Sequence, residues 1–110
     1  MDAWDFSDLE AARAASGRRY HEFKRVPDLS AGIYTLEAGA IDRQRPHTED
    51  ELYYVVAGRA MVTVGEETRP VVPGSVVFVA AAVPHRFHAI AERLELLVMF
   101  GPAEGDRAAG

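Results

Sequence analysis

The chain has 110 residues and a formal charge of −5, with 48% of its residues hydrophobic and 26% charged. That balance fits one soluble globular domain with enough apolar mass for a core, and it excludes an intrinsically disordered chain. An acidic chain with no basic stripe is not built for nucleic acid or an anionic membrane. The absence of cysteine excludes disulfides, thiolate nucleophiles and cysteine metal ligands.

Met1 to Asp5 lacks the basic and apolar regions of a secretory signal, and no apolar run reaches the length of a bilayer span. A cytoplasmic location is the expectation. Ser7-Asp8-Leu9-Glu10 has the form of a capping box, and the Ala-rich stretch to Ala15 continues a short helix that Gly17 stops. Trp4, Phe6 and Leu9 are its packing residues. From Tyr20 the pattern has period two, with His21 at the surface, until Pro27-Asp28 turns the chain.

Ser30 to Glu37 reads as a strand, broken at Ala38-Gly39-Ala40. Leu52 to Ala57 is a second, turned at Gly58-Arg59 into Ala60 to Val64, and Gly65-Glu66-Glu67 turns again into Thr68 to Val72. Pro73-Gly74 is a further turn, before Ser75 to Val79, Arg86 to Ile90 and Arg93 to Phe100. In the last of these Leu97 and Met99 make the second face apolar, so its end is expected to be covered on both sides. Some eight short strands with one helix predict an all-β sandwich or barrel. The expected layout is an arm with the helix over 1–19, a barrel over 20–100 and a polar, frayed tail over 101–110.

His47 and Glu51 are candidate partners, yet on one strand they would sit roughly 13 Å apart, too far to share an ion. They act together only if Thr48-Glu49-Asp50 is a loop. Glu51 belongs to an acidic triplet, which reads equally as a solvated loop. His85 follows Val83-Pro84 and, taken alone, is more often a core or edge histidine; His88 would face the opposite side of the strand.

Pro46 to Gly58 and Gly74 to Ala89 together resemble the motifs of the cupins. In the first motif, G-x5-H-x-H-x(3,4)-E-x6-G, His47 matches the second histidine, Glu51 the glutamate and Gly58 the closing glycine, with Gly39 the best match for the opening one. In the second, G-x5-P-x-G-x2-H-x3-N, Gly74 and His85 match, while Ala80, Ala82 and Ala89 replace the proline, glycine and asparagine. The resemblance spans Ile33 to Phe100. It implies a double-stranded β-helix, or jelly-roll, barrel. It also implies a divalent transition metal (iron, manganese, nickel or zinc) on His47, Glu51 and His85, a small organic ligand and a homodimer. The function implied is a metal-dependent oxygenase or isomerase, or else a binding or structural module without chemistry.

Arg45 stands where the family has its first histidine. Pointing inward it would repel a metal or grip a substrate carboxylate; pointing outward it would leave the position to water or Gln44. Tyr53 shares the face of Glu51 and Phe87 that of His85. Both are candidate pocket walls, and equally candidate core.

Overall fold

The computed structural model describes residues 1–106, one helix followed by six antiparallel strands. They are α1 (Phe6–Ser16), β1 (Tyr20–Val26), β2 (Leu29–Leu36), β3 (Asp50–Val64), β4 (Glu67–Val71), β5 (Val76–Val79) and β6 (His85–Gly101). The chain is mostly β, with the one short N-terminal helix expected. The strands form a single sheet in the order β1-β2-β6-β3-β4, with β5 paired to β3 off that path, and this pairing does not close into a ring.

Two strands stand where the sequence suggested four. β3 runs through Gly58 and Arg59, read above as a turn, and β6 runs through residues 89–92. The register between them shifts repeatedly between Val55 and Met61, so both strands bend without ending. At the bend Gly58 has a φ of 96°, and a Cβ there would lie 2.2 Å from the Arg93 carbonyl oxygen. Two backbones meet where only glycine fits. The first half of β3 therefore pairs with β5 and the end of β6, and its second half with β4 and the start of β6.

Alternation then sends one face of each half into a common core. Tyr53, Val55 and Val62 of β3 meet Phe87, Leu94, Leu96 and Phe100 of β6 and Leu36 of β2. Each such buried side chain contributes about 1.5–3 kcal/mol. Leu97 and Met99, on the opposite face of β6, are half-buried.

The helix starts at Phe6 with Asp5 as its N-cap, and no side chain caps it, so the expected capping box does not form. Glu10 is used elsewhere. It accepts hydrogen bonds from Arg13, from Thr35 Oγ1 of β2 and from Arg93 of β6, which ties the helix to the sheet. Gly17 ends α1 in the left-handed conformation, as its position predicts. Trp4 packs edge-on against Phe23 with ring centroids 4.9 Å apart.

The tail does not fray at Pro102. Ala103 is fully buried with its N–H on the Pro27 carbonyl, and the Glu104 N–H donates to Ser30 Oγ. Arg25 donates to the Glu104 carbonyl oxygen. The remainder of the expected tail, 107–110, lies outside the described residues.

Ala82 and Ala89 have positive φ, 66° and 47°. These are the two positions where the cupin motif carries glycine and asparagine, residues that adopt this conformation at lower cost. The backbone has kept a shape its side chains disfavour. Ala82→Gly is expected to stabilise the protein by roughly 0.5–1 kcal/mol after the larger unfolded-state entropy of glycine is subtracted, and Ala89→Asn by less. Urea unfolding measures both, and a lowered midpoint for Ala82→Gly would show that this alanine is not strained.

Candidate metal centre

Residues 37–49 contain no strand, so His47 reaches the site on a loop, the only arrangement that lets it work with Glu51. The Ala82 N–H holds the loop by donating to the His47 carbonyl. Glu51 opens β3, while His85 opens β6 and pairs with Val64 at the far end of β3. The bend at Gly58 therefore brings His85 back over Glu51. One donor atom from each of His47, Glu51 and His85 lies within 4.8 Å of the others. The Glu51 and His85 side chains are 2% and 1% exposed.

The hydrogen bonds around this trio form a directed chain that starts at Asp42. Its carboxylate accepts from the Tyr34 hydroxyl at 2.8 Å, the Phe87 N–H at 2.9 Å, the Gln44 N–H at 3.3 Å and the Gln44 side-chain amide at 2.7 Å. The last contact orients the Gln44 amide, because only its nitrogen can donate to a carboxylate. Its Oε1 therefore faces Tyr53 and accepts that hydroxyl's proton at 2.9 Å. Tyr53 is left presenting a lone pair to His85 Nε2, 3.1 Å away.

His85 Nδ1 lies 2.9 Å from the Val83 carbonyl oxygen, which only accepts, so Nδ1 carries a proton. In neutral His85 the Nε2 lone pair would then face the Tyr53 oxygen and Glu51 Oε1, the latter at 3.0 Å. While His85 Nε2 is unprotonated, buried Glu51 Oε1 has no hydrogen-bond donor directed at it. Three electron-rich atoms converge there, and a positive charge is what reconciles them. A proton on His85 supplies one; a divalent cation supplies a better one.

His47 is prepared in the same way. Its Nδ1 is 3.2 Å from Glu104 Oε2, which leaves Nε2 as the nitrogen for a cation. A carboxylate or carbonyl on the far side of each imidazole is the usual outer support of metal-binding histidines. Burial pulls the pKa of each histidine down, but the carboxylates outweigh it. Glu104 and Glu51 raise His47, and Glu51 with the Val83 carbonyl raises His85.

A cavity of about 140 Å³ opens beside the trio, walled by Tyr20, Tyr34, Val98 and Phe100 and reached by Gln44, His47, Glu51, Tyr53 and Glu104. Among the residues singled out from the sequence, Tyr53 and Gln44 line it, though both are already committed to the chain from Asp42. Phe87 is core, packed edge-on behind Tyr53 at 5.0 Å. Arg45 is exposed, does not line the cavity and makes no hydrogen bond or ion pair with the described residues. It therefore does not sit where it would repel an ion on the trio.

Asp42, Glu104 and Tyr20 were not visible as site residues. Asp42 sits in an irregular loop, Glu104 in a short polar tail, and Tyr20 in a strand that looked ordinary. The acidic triplet is not a solvated loop either. Glu49 is buried and accepts from the Thr48 hydroxyl and the Gly105 N–H, Asp50 accepts from the Ala81 N–H, and Glu51 faces the site.

Residues 32–100 match the family described as Cupin domain (Cupin_2). The chain is 51% identical over 104 residues to the uncharacterized protein SCO3923 of Streptomyces coelicolor, covering 94% of this chain and 99% of that one. Its structure is similar to that of TT1209 from Thermus thermophilus, with a TM-score of 0.72 at 26% identity over 94% of this chain and 99% of the other. It is also similar to KdgF from Halomonas sp., with a TM-score of 0.68 at 25% identity over 76% of each chain.

The raised histidine pKa values set a pH dependence. Without metal, their stabilising contribution is fully present below the unfolded value of 6.5 and is lost as pH rises through the folded values. A metal needs both imidazoles unprotonated, so its stabilisation runs the other way. Thermal melts at pH 6 and pH 8 should show the metal-free protein less stable at pH 8 and the rise in Tm on adding zinc larger there. A zinc effect that shrinks with pH would contradict histidine ligation.

Proposed function

The chain belongs to the cupin family, and on that premise we propose a cupin that holds a divalent transition metal and acts on a small organic substrate. Its open sheet is then the single-chain form of the double-stranded β-helix barrel. The carrying observation is the buried His47–Glu51–His85 trio, whose ligand atoms lie within 4.8 Å of one another. Two histidines and one carboxylate suit iron, manganese, nickel or zinc and leave coordination positions open. The reaction type we favour is oxygenase or isomerase, in which the ion serves as Lewis acid or redox centre.

The chain's own residues have separable tasks. Val83 and Glu104 hold the two imidazoles in the tautomer that coordinates. Asp42, through Gln44, keeps the Tyr53 proton turned away from His85. Phe100, packed 4.8 Å from the His47 ring, and Val98 make one side of the cavity apolar. Arg45 is exposed and outside the cavity, which weighs against its repelling a bound metal.

Protein purified without chelator or metal-affinity tag is expected to carry about one ion per chain. His47→Ala and His85→Ala should each weaken binding by more than about 100-fold, Glu104→Ala by about 10–100-fold, and Arg45→Ala not at all. Substoichiometric metal that reconstitution does not raise would sink the reading.

The same reading places the protein in the cytoplasm as a homodimer. Among the described residues no helix is long and apolar enough to cross a membrane, and a cysteine-free chain suits a reducing compartment, which cell fractionation tests. Val76 and Phe78 of β5 are 58% and 59% exposed, beside Leu52 and Tyr54 of β3. We take these exposed apolar side chains, with Glu67 and Arg69 of β4 beside Phe78, as the face that meets a second copy. Sedimentation should give a dimer for the native chain and a monomer for Phe78→Glu; a dimer in both would place the interface elsewhere.

A further inference from the structure

Among the described residues, two buried side-chain polar atoms have no hydrogen-bond partner, Glu51 Oε1 and the Tyr20 hydroxyl, and both residues line the same cavity. Folded proteins leave few such atoms, and each calls for a physical account. A metal ion answers for Glu51. It does not answer for Tyr20.

The Tyr20 ring is held in place by its neighbours. It lies over Gly32, where a Cβ would come within 2.4 Å of the phenol oxygen, and meets Tyr34 and Phe100 edge-on at 6.4 and 6.5 Å. Burial, with the nearby charges of Glu104, Glu22 and Glu51, holds this phenol protonated well above the ordinary range. The hydroxyl is therefore an uncommitted donor at the cavity wall, whereas those of Tyr34 and Tyr53 are already given to Asp42 and Gln44.

The rest of the cavity restricts what that donor meets. The faces of Tyr34, Val98 and Phe100 are apolar. A volume of about 140 Å³ is close to that of an engineered cavity of about 150 Å³ that binds benzene. No lysine or arginine lines it, while the carboxylates of Glu51 and Glu104 do. Without metal, an anion entering would lose water beside two carboxylates with no lysine or arginine to meet it. A cationic ligand would compete with the metal for the same carboxylates.

We propose that the cavity binds a small neutral molecule of about benzene's size carrying one carbonyl or hydroxyl oxygen, which the Tyr20 hydroxyl recognises by donating to it. The inference rests on the metal reading for the charge at one end of the cavity; the Tyr20 end stands without it.

The probes are cyclohexanone, cyclohexanecarboxylate and methylenecyclohexane, which replaces the ketone oxygen with a CH₂. They are titrated into zinc-loaded and zinc-free protein with chemical-shift changes as the readout. Cyclohexanone should bind the native chain about fivefold tighter than it binds Tyr20→Phe. Methylenecyclohexane should not distinguish the two chains, and in the zinc-free protein the carboxylate should bind at least about tenfold more weakly than the ketone. Equal ketone binding by native and Tyr20→Phe chains in both forms, or a carboxylate bound by the zinc-free protein as tightly as the ketone, would overturn the proposal. A chain that takes up no zinc yet keeps the Tyr20 dependence would overturn the metal reading and leave this ligand class standing.

Discussion

The candidate site depends on a buried carboxylate that is not one of its ligands. Asp42 collects four donors from β2, β6 and its own loop, and in doing so fixes which way every proton downstream points. A buried charge with that many donors is well compensated, while removing it would strand several buried donors at once. Gln44 inherits its orientation from Asp42, Tyr53 inherits its own from Gln44, and His85 meets a lone pair as a result. The electron-rich character of the site is thus set some distance from where a cation would sit. Networks of this kind are worth more than the sum of their pairs, because each bond polarises the next.

The loop between β2 and β3 is held at both ends by such contacts and by no strand pairing. Asp42 anchors its beginning. The three consecutive acids at its end face three different neighbours: Glu49 the returning chain at Gly105, Asp50 the turn before β6, and Glu51 the site. An irregular segment normally lies at the surface because its backbone needs partners. Here side-chain carboxylates and the Ala82 amide do that work, and His47 is positioned on what would otherwise be a mobile stretch.

The strands, the helix stop at Gly17 and the clustering of His47, Glu51 and His85 were legible because each rests on a local signal: alternation, a glycine past a helix end, or motif spacing. The continuity of β3 and β6 was not, since a glycine at a turn and a glycine at a close backbone approach look alike until the partner strand is in place. Asp42 and Glu104 were hidden for the same reason. Their roles come from neighbours far along the chain, and nothing in the adjacent sequence marks one acid as structural and another as solvated. Arg45 is exposed, one of the orientations that its place in the motif left open. Charge at the site is supplied instead by Glu104, from a segment that the motif does not include.

Gly32 touches no ligand in any of these readings, yet it governs the cavity. The Tyr20 ring rests where the missing methyl would be, and any side chain at position 32 would force the phenol to shift. The space it lines is the cavity itself. Pocket depth is therefore controlled from behind the wall, by a residue that a survey of contacts would pass over. A single-base change converts a glycine codon to an alanine codon, and it would reshape the space beside Tyr20 while every residue lining it stays the same.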